Sequence, residues 1–127
     1  MYSTDLKSYK DVGTYGRLND ANPHEVVAVM LDTLLTRVAE ARGCIERGDT
    51  PGKGTAIGKA MALVEGLVLS LDPERGGTVA ENLQRLYDYM SRTLLRANLE
   101  NRAELLVEVG DLTGQIKSAW EEIGQVQ

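Results

Sequence analysis

Residues that could do acid–base, metal or nucleophilic chemistry are few in this sequence. The one histidine, His24, lies in the first turn of a predicted helix, where a solvated surface position is typical. The one cysteine, Cys44, is predicted to be a small apolar residue at the edge of the core. No Cys/His cluster has zinc-ligand spacing, and no Glu-x-x-His pair of a di-metal helical bundle occurs.

A glycine-rich stretch, GKGTAIGK at residues 52–59, is a further candidate for chemistry. Phosphate-binding loops follow a strand and carry the order G-x-x-x-x-G-K. This stretch follows a predicted helix and lacks that order, and no Ser-His-Asp set suggests itself elsewhere. The sequence therefore predicts a protein that is not an enzyme and that needs no cofactor or metal.

Length, composition and charge narrow the class of protein. The 127 residues amount to one domain, and a hydrophobic share of 43% is enough for a core. The net charge of −5 argues against nucleic-acid binding, which needs a basic face. No apolar run approaches the ~18 residues of a membrane span, and no secretory signal is evident. With a single cysteine, these features lead us to expect a cytosolic protein without membrane insertion.

The first long helix is predicted from its capping residues. Asn22 is a good N-cap, Pro23 suits the first helical position, and Glu25 can complete a capping box. Apolar residues then recur every three to four positions until Gly48, which should end the helix.

Three more helices are predicted by the same periodicity. Thr50 and Pro51 form the expected cap and first turn of the second helix, and Pro73 with the glycines after it should separate the second helix from the third. Asn101 is the expected N-cap of the fourth helix. The second and third predicted helices are residues 52–71 and 78–97.

Short connections between four helices of similar length predict an all-α fold, an antiparallel four-helix bundle over residues 22–127. Residues 1–21 are polar but hold three of the five tyrosines, so they are predicted to form a short N-terminal helix or arm that docks on the bundle. The predicted core stripes include Val27, Leu31, Leu34 and Val38; Ile57, Ala60, Met61 and Val64; Ala80, Leu83, Leu86, Tyr87 and Met90; and Leu105, Val109, Leu112, Ile116, Ala119, Trp120 and Ile123.

Some helix faces opposite the core are also apolar or built of small residues. The second helix carries Gly58, Ala62, Gly66 and Leu69 there, and the fourth carries Ala103, Val107, Gly110 and Gly114. Glycine inside a helix costs ~1 kcal/mol relative to alanine, a cost that makes sense where another backbone approaches closely. On the third helix, Asn82 and Tyr89 lie one heptad apart on the outward side. We therefore expect another chain, or the N-terminal arm, to cover these faces.

The order of motifs along the chain resembles the flagellar secretion chaperones of the FliS family. The resemblance covers about Tyr9 to Ile123. The stretches that carry it are NPHEVVAVMLD, GKGTAIGKA, LSLDPERGGTVAENLQRLYDYM, LLRAN and AWEEI.

This resemblance implies a function and a binding surface. Members of that family bind the disordered C-terminal segment of flagellin, expected here at one to one, prevent premature polymerisation, and support delivery to an export gate component. Their N-terminal arm can occupy the same groove, which assigns Tyr9 and Val12 to a resident cap. The expected partner-binding residues on the bundle are Ile57, Met61, Ala62, Leu69, Asn82, Arg85, Tyr89, Val107 and Gly110.

Two other interpretations stay open at this point. A self-associating bundle would bury the outer stripes against a second copy, and a ligand-binding or catalytic bundle would need a polar pocket. The lack of carboxylates and histidines at predicted core positions counts against a catalytic bundle. Whether an anti-sigma factor or a co-chaperone also binds is left open by the sequence.

Overall fold

The computed structural model describes residues 22–126, and these form four helices connected in the sequence by short turns. The helices are α1 (Pro23–Arg47), α2 (Thr50–Leu69), α3 (Pro73–Glu100) and α4 (Ala103–Val126). Helix α1 packs against α2 and α4, and α3 packs against the same two helices, so the four form a closed ring. The predicted all-α four-helix bundle is confirmed, while the predicted arm lies outside the described residues.

The predicted boundaries of α1 are confirmed. The Asn22 side-chain oxygen accepts a hydrogen bond of 2.9 Å from the Glu25 amide, and Pro23 occupies the first turn. At the other end Gly48 adopts the left-handed conformation (φ 72°), and its amide donates to the carbonyl groups of Cys44 and Ile45. Glycine tolerates this conformation without the steric cost that a Cβ would bring.

The predicted N-cap of α2 was wrong by one residue, and the helix begins two residues before the predicted Gly52. Asp49, not Thr50, is the N-cap, because its carboxylate accepts a 3.0 Å hydrogen bond from the Gly52 amide. Thr50 and Pro51 are the first helical residues, and the helix ends at Leu69 rather than at Leu71.

Helix α3 is longer than predicted at both ends. Asp72 caps it by accepting from the amides of Glu74 and Arg75, so the helix begins at Pro73, where proline is tolerated. The glycines interrupt the helix as predicted: Gly77 (φ 51°, ψ −125°) is non-helical and places a kink between the short segment that begins at Pro73 and the long segment that follows.

Asn101 was predicted to start α4, but it ends α3. It adopts the left-handed conformation (φ 55°), and its amide donates to the Ala97 carbonyl. Asparagine is among the few residues with a side chain that accept this conformation readily. Its side-chain oxygen also accepts a 3.2 Å hydrogen bond from the Lys53 ammonium, which donates to the Asn98 carbonyl at 3.0 Å as well. A buried lysine of α2 thus stabilises the carboxyl end of α3.

The core lies along the axis of the ring and contains most of the predicted residues. Fully buried side chains include Leu31, Leu34, Val64, Leu67, Met90, Leu94, Leu106 and Val109. On α4 the buried face is rotated from the predicted one: Leu106 and Thr113 are buried, whereas Ala119 and Ile123 are exposed. The Thr113 hydroxyl donates to the Val109 carbonyl at 2.7 Å, which makes a buried threonine acceptable.

Candidate partner-binding surface

Three grooves with apolar residues in their walls lie on the outside of the bundle. The α2–α3 groove, of about 520 Å³, is lined by Gly58, Met61, Ala62, Glu65, Val68 and Asp88. The α1–α4 groove, of about 250 Å³, is lined by Leu35, Val38, Ala39, Leu106, Val107 and Gly110. The end groove, of about 650 Å³, includes Val27, Leu71, Val79, Leu83, Tyr87 and Trp120.

The α2–α3 groove has a floor of small residues. A Cβ added at Gly58 would have open space around it, and Ala62 beside it is exposed. Leu69, farther along α2, is 79% exposed. Three predicted contact residues, Met61, Ala62 and Leu69, therefore lie on surface that another chain can reach.

Two residues of α2 that were predicted to lie on the outer, partner-facing side of the helix have a different role. Ile57 is only 1% exposed and belongs to the core, so its assignment as a contact residue was wrong: it presents no surface to a docked segment. Gly66 was predicted to face outward, but a Cβ there would lie 2.6 Å from the terminal methyl group of Met30. The missing side chain at Gly66 makes room for α1, not for an external partner.

The α1–α4 groove contains the two predicted contact residues of α4. Val107 is exposed, and a Cβ at Gly110 would lie 3.7 Å from Val38 Cγ1, an ordinary contact distance. A methyl group therefore fits at Gly110, whereas a large side chain there would fill the groove. Because the helices form a ring, this groove lies on the side of the bundle opposite the α2–α3 groove.

The outward stripe of α3 lies on a third side. Asn82 and Arg85 are exposed, and Tyr89 is 37% exposed. The Tyr89 hydroxyl donates a 2.7 Å hydrogen bond to Glu108 Oε2, so this tyrosine bridges α3 and α4. The predicted contact residues that remain are thus spread around three sides of the bundle, which a compact ligand could not cover at once.

The end groove was not anticipated from the sequence. It brings together the start of α1, the α2–α3 turn, the first turns of α3 and the last turns of α4. Trp120 was predicted for the core and instead forms a partly buried wall of this groove, and Val79 is 64% exposed beside it. Neighbouring side chains here come from positions up to 96 residues apart, so periodicity within one helix gives no signal of the groove.

His24 fixes the orientation of Trp120, which forms a wall of the end groove. The two rings stack with centroids 4.7 Å apart and planes inclined by 7°, and the indole Nε1–H donates to the His24 carbonyl at 2.9 Å. A Cβ at Gly124 would collide with the imidazole, so glycine is needed there. The prediction of a solvated surface histidine was wrong because the partner ring comes from the far end of the chain.

Tyr87 forms a buried part of the same groove. It is 2% exposed, and burial raises the pKa of its hydroxyl to about 12, because the phenolate would lose its hydration. Its hydroxyl forms no hydrogen bond with any residue in the described range, and no fully enclosed side-chain N or O in that range lacks a partner. Tyr87 is one of the residues that line the groove.

Ion pairs on the surface tie adjacent segments together. Arg96 and Arg102 donate to Glu100, which lowers the pKa of that carboxyl, and Arg102 also pairs with Glu104. Lys117 of α4 contacts Asp32 of α1 at 2.9 Å, and this carboxylate raises the pKa of the lysine. Water screens exposed pairs of this kind, so they orient side chains more than they stabilise the fold.

Within residues 22–126, no group of three or more His, Cys, Asp or Glu side chains is placed to hold a metal ion. None of the helices described is both long and apolar enough to cross a membrane.

The fold and the grooves define a class: a helical bundle with a packed core and further apolar surface in grooves on its outside. The chain belongs to the family described as flagellar protein FliS, whose model matches residues 6–127. It is 44% identical over 118 residues to the flagellar secretion chaperone FliSB of Pseudomonas aeruginosa, covering 93% of this chain and 94% of that protein. It is 39% identical over 125 residues to the flagellar secretion chaperone FliS of Salmonella typhimurium, covering 97% and 93%. The FliS protein of Vibrio cholerae is 34% identical over 118 residues, covering 93% and 87%.

Proposed function

We propose that this protein is a non-catalytic export chaperone of the bacterial cytosol that binds the disordered C-terminal segment of flagellin. The observation that carries the proposal is the distribution of apolar grooves over separate sides of a bundle whose core is already complete. Its relatives are named flagellar secretion chaperones, which supports a flagellar protein as the partner.

A segment that folds as it binds suits this surface better than a folded partner does. Ordering a disordered segment costs roughly 2–5 kcal/mol or more, which must be offset by a long apolar contact. Short helical turns of such a segment can lie in separate grooves, joined by extended stretches that follow the outside of the bundle. Wrapping of this kind would cover residues that flagellin otherwise uses to polymerise.

The proposed contacts follow from the positions of the predicted residues. Met61, Ala62 and Leu69 would meet the segment on the α2 side, and Val107 and Gly110 would meet it in the α1–α4 groove. Asn82, Arg85 and Tyr89 would contact the stretch that passes between these sides. Tyr9 and Val12 lie outside the described residues and remain proposed as a resident cap that the segment displaces.

Titration calorimetry with flagellin monomer, full length and without its C-terminal segment, tests the proposal. We expect one-to-one binding that is lost with the truncation. Equal binding of both forms would place the contact elsewhere on flagellin, and no binding of either would contradict the function. A mass from light scattering that rises with concentration would instead favour the self-associating alternative.

The proposed cap has its own test. Deleting residues 1–15 should raise the affinity for flagellin, because the free chain would no longer spend part of its time with the groove occupied. An unchanged dissociation constant would remove the cap from the proposal.

Delivery to the export gate is the second part of the proposed function. Six acidic residues against two basic ones in residues 99–127 give α4 a negative surface that a gate component can recognise. Changing Glu121 and Glu122 to lysine should reduce delivery of flagellin while leaving its binding intact. Normal secretion by that variant would show that these carboxylates are not recognised.

A further inference from the structure

The end groove lies where residues 1–21 join the bundle. Its α1 wall is Val27, just over one turn into that helix, and its Trp120 wall stacks on His24, two residues after Asn22. The chain therefore enters the bundle beside this groove, and the side chains that come shortly before Asn22 in the sequence are tied close to it.

The length of chain before Asn22 limits which groove each residue can reach. A chain spans at most about 3.3–3.6 Å per residue, so Leu18, four positions before Asn22, lies no more than about 14 Å from it. The first α1 residue of the α1–α4 groove, Leu35, is about 20 Å along the helix from Asn22. The α2–α3 groove is lined by α2 and α3. Leu18 is thus tied to the end groove, and Tyr15, within about 25 Å of Asn22, can reach all of that groove.

The chemistry of the end groove suits these two side chains. Its walls are mostly apolar, and Val79 is 64% exposed there. Its two charged lining residues, Asp72 and Arg75, lie 3.8 Å from each other, so they balance each other's charge. The groove therefore favours an uncharged apolar or aromatic side chain, which Leu18 and Tyr15 both provide.

Covalent attachment favours this segment over a separate chain. A group held on a short connection has an effective concentration on the order of millimolar at a neighbouring site. A free peptide at micromolar concentration would need a contact about a thousandfold tighter to occupy the same groove equally.

We propose that the chain's own Tyr15 and Leu18 occupy the end groove, with the Tyr15 ring packed beside Trp120. This contact is distinct from the proposed cap, because Tyr9 and Val12 are assigned to the groove that flagellin uses. Its test does not involve flagellin, so the result does not depend on the proposed function.

Trp120 is the only tryptophan of the chain, so its fluorescence reports directly on the end groove. Tyr15→Ala in the full chain should shift the emission to longer wavelength and raise the acrylamide quenching constant about twofold, because the indole loses a ring that covers it. Tyr2→Ala and Tyr9→Ala are the matched controls and should leave both values unchanged. No change in Tyr15→Ala would overturn the proposal. A change in Tyr9→Ala alone would show that the proposed cap occupies the end groove in place of Tyr15, and would overturn it too.

A disulfide tests the position directly, since it forms only where two Cα atoms come within about 4.4–6.8 Å of each other. In a full chain with Cys44→Ser, the pair Thr14→Cys and Val79→Cys should close an intramolecular disulfide on mild oxidation, detected by mass spectrometry. The control pair is Thr14→Cys with Leu99→Cys, because Leu99 is 75% exposed on α3 but about 30 Å along the helix from Val79. The first pair should close at least about tenfold faster, and Tyr15→Ala should remove most of that difference. Equal rates for the two pairs would overturn the proposal.

Discussion

The α2–α3 groove and the end groove are both open apolar surfaces, but they are built in opposite ways. The first has a floor of Gly58 and Ala62, where the absence of side chains lets another backbone come close. The second has walls of large rings, Tyr87 and Trp120, held by packing and by the His24 stack. A groove that exists because glycine and alanine leave space depends little on the core. A groove with walls of aromatic rings forms part of the edge of the core. Mutations in the α2–α3 groove should therefore change binding without changing stability. Mutations in the end groove should change both together.

The largest expected effect tests that coupling. Trp120→Ala should lower the free energy of unfolding by about 3 kcal/mol, because it removes a ring that packs on the core and loses the stack and hydrogen bond to His24. Urea denaturation followed by circular dichroism measures this. Trp120→Phe, which keeps an aromatic ring, is the control and should lose clearly less. A loss below about 1 kcal/mol for the alanine variant would show that the end groove is independent of the core.

The pH dependence of stability is a second test of the same groove. The pKa of Tyr87 is raised by burial to about 12 from an ordinary value of 10.0. The folded state therefore keeps this proton while the unfolded chain loses it, so stability is complete below pH 10 and falls as the pH rises through 12. A shift of this size corresponds to about 3 kcal/mol of stability, lost over this interval.

Tyr87→Phe isolates that contribution, because the other tyrosines remain. The variant should lose less stability than the parent between pH 10 and pH 12 in denaturation experiments. Parallel pH profiles for the two proteins would mean that the Tyr87 hydroxyl is hydrated in the folded state and that its pKa is not raised by burial.

The two grooves also differ in how far the sequence could predict them. The spacing of small residues on α2, four positions apart, indicated an open outer face, and Gly58 and Ala62 do form it. The same pattern misassigned Gly66, because period alone does not tell which neighbour, α1 or an external chain, fills the space. Most of the bundle's core was predictable for a related reason: one apolar stripe on each helix must face the ring axis.

The end groove could not be predicted because it is made by tertiary contacts. His24 and Trp120 are 96 residues apart and gain their roles only when α1 and α4 pack side by side. The error at Asn101 has a similar physical origin. An asparagine before a helix suits an N-cap, but two helices share this turn, and the left-handed conformation at the end of α3 takes precedence.

The third prediction tests whether the α2–α3 groove separates binding from stability. Gly58→Leu should weaken flagellin binding by tenfold or more, because the side chain fills the floor on which a helix would pack. It should not lower stability, since a Cβ there meets open space and leucine favours helix by about 0.8 kcal/mol over glycine. Calorimetry and urea denaturation of the same preparations give both values.

Gly54→Leu is the matched control for that variant, since Gly54 lies one turn earlier on α2, also with open space around it, and does not line the groove. It should gain similar stability and keep the parent affinity. Gly110→Leu makes the same comparison for the α1–α4 groove, with Gly114→Leu as its control on α4. Full binding by both Gly58→Leu and Gly110→Leu would remove these two grooves from the proposed surface and leave the end groove to be tested alone.

The smallest expected effect concerns the side between these grooves. Tyr89→Phe removes the hydrogen bond to Glu108 across α3 and α4, and the pair is exposed, so stability should fall by only about 0.5 kcal/mol. Measurements of binding test the role of Tyr89 more sharply than measurements of stability do. If the flagellin segment passes over Tyr89, Tyr89→Ala should weaken binding more than Tyr89→Phe, because the ring, not the hydroxyl, supplies the contact area. Equal affinities for the two variants and the parent would mean that Tyr89 only bridges two helices, and that the segment reaches the α1–α4 groove by another side of the bundle.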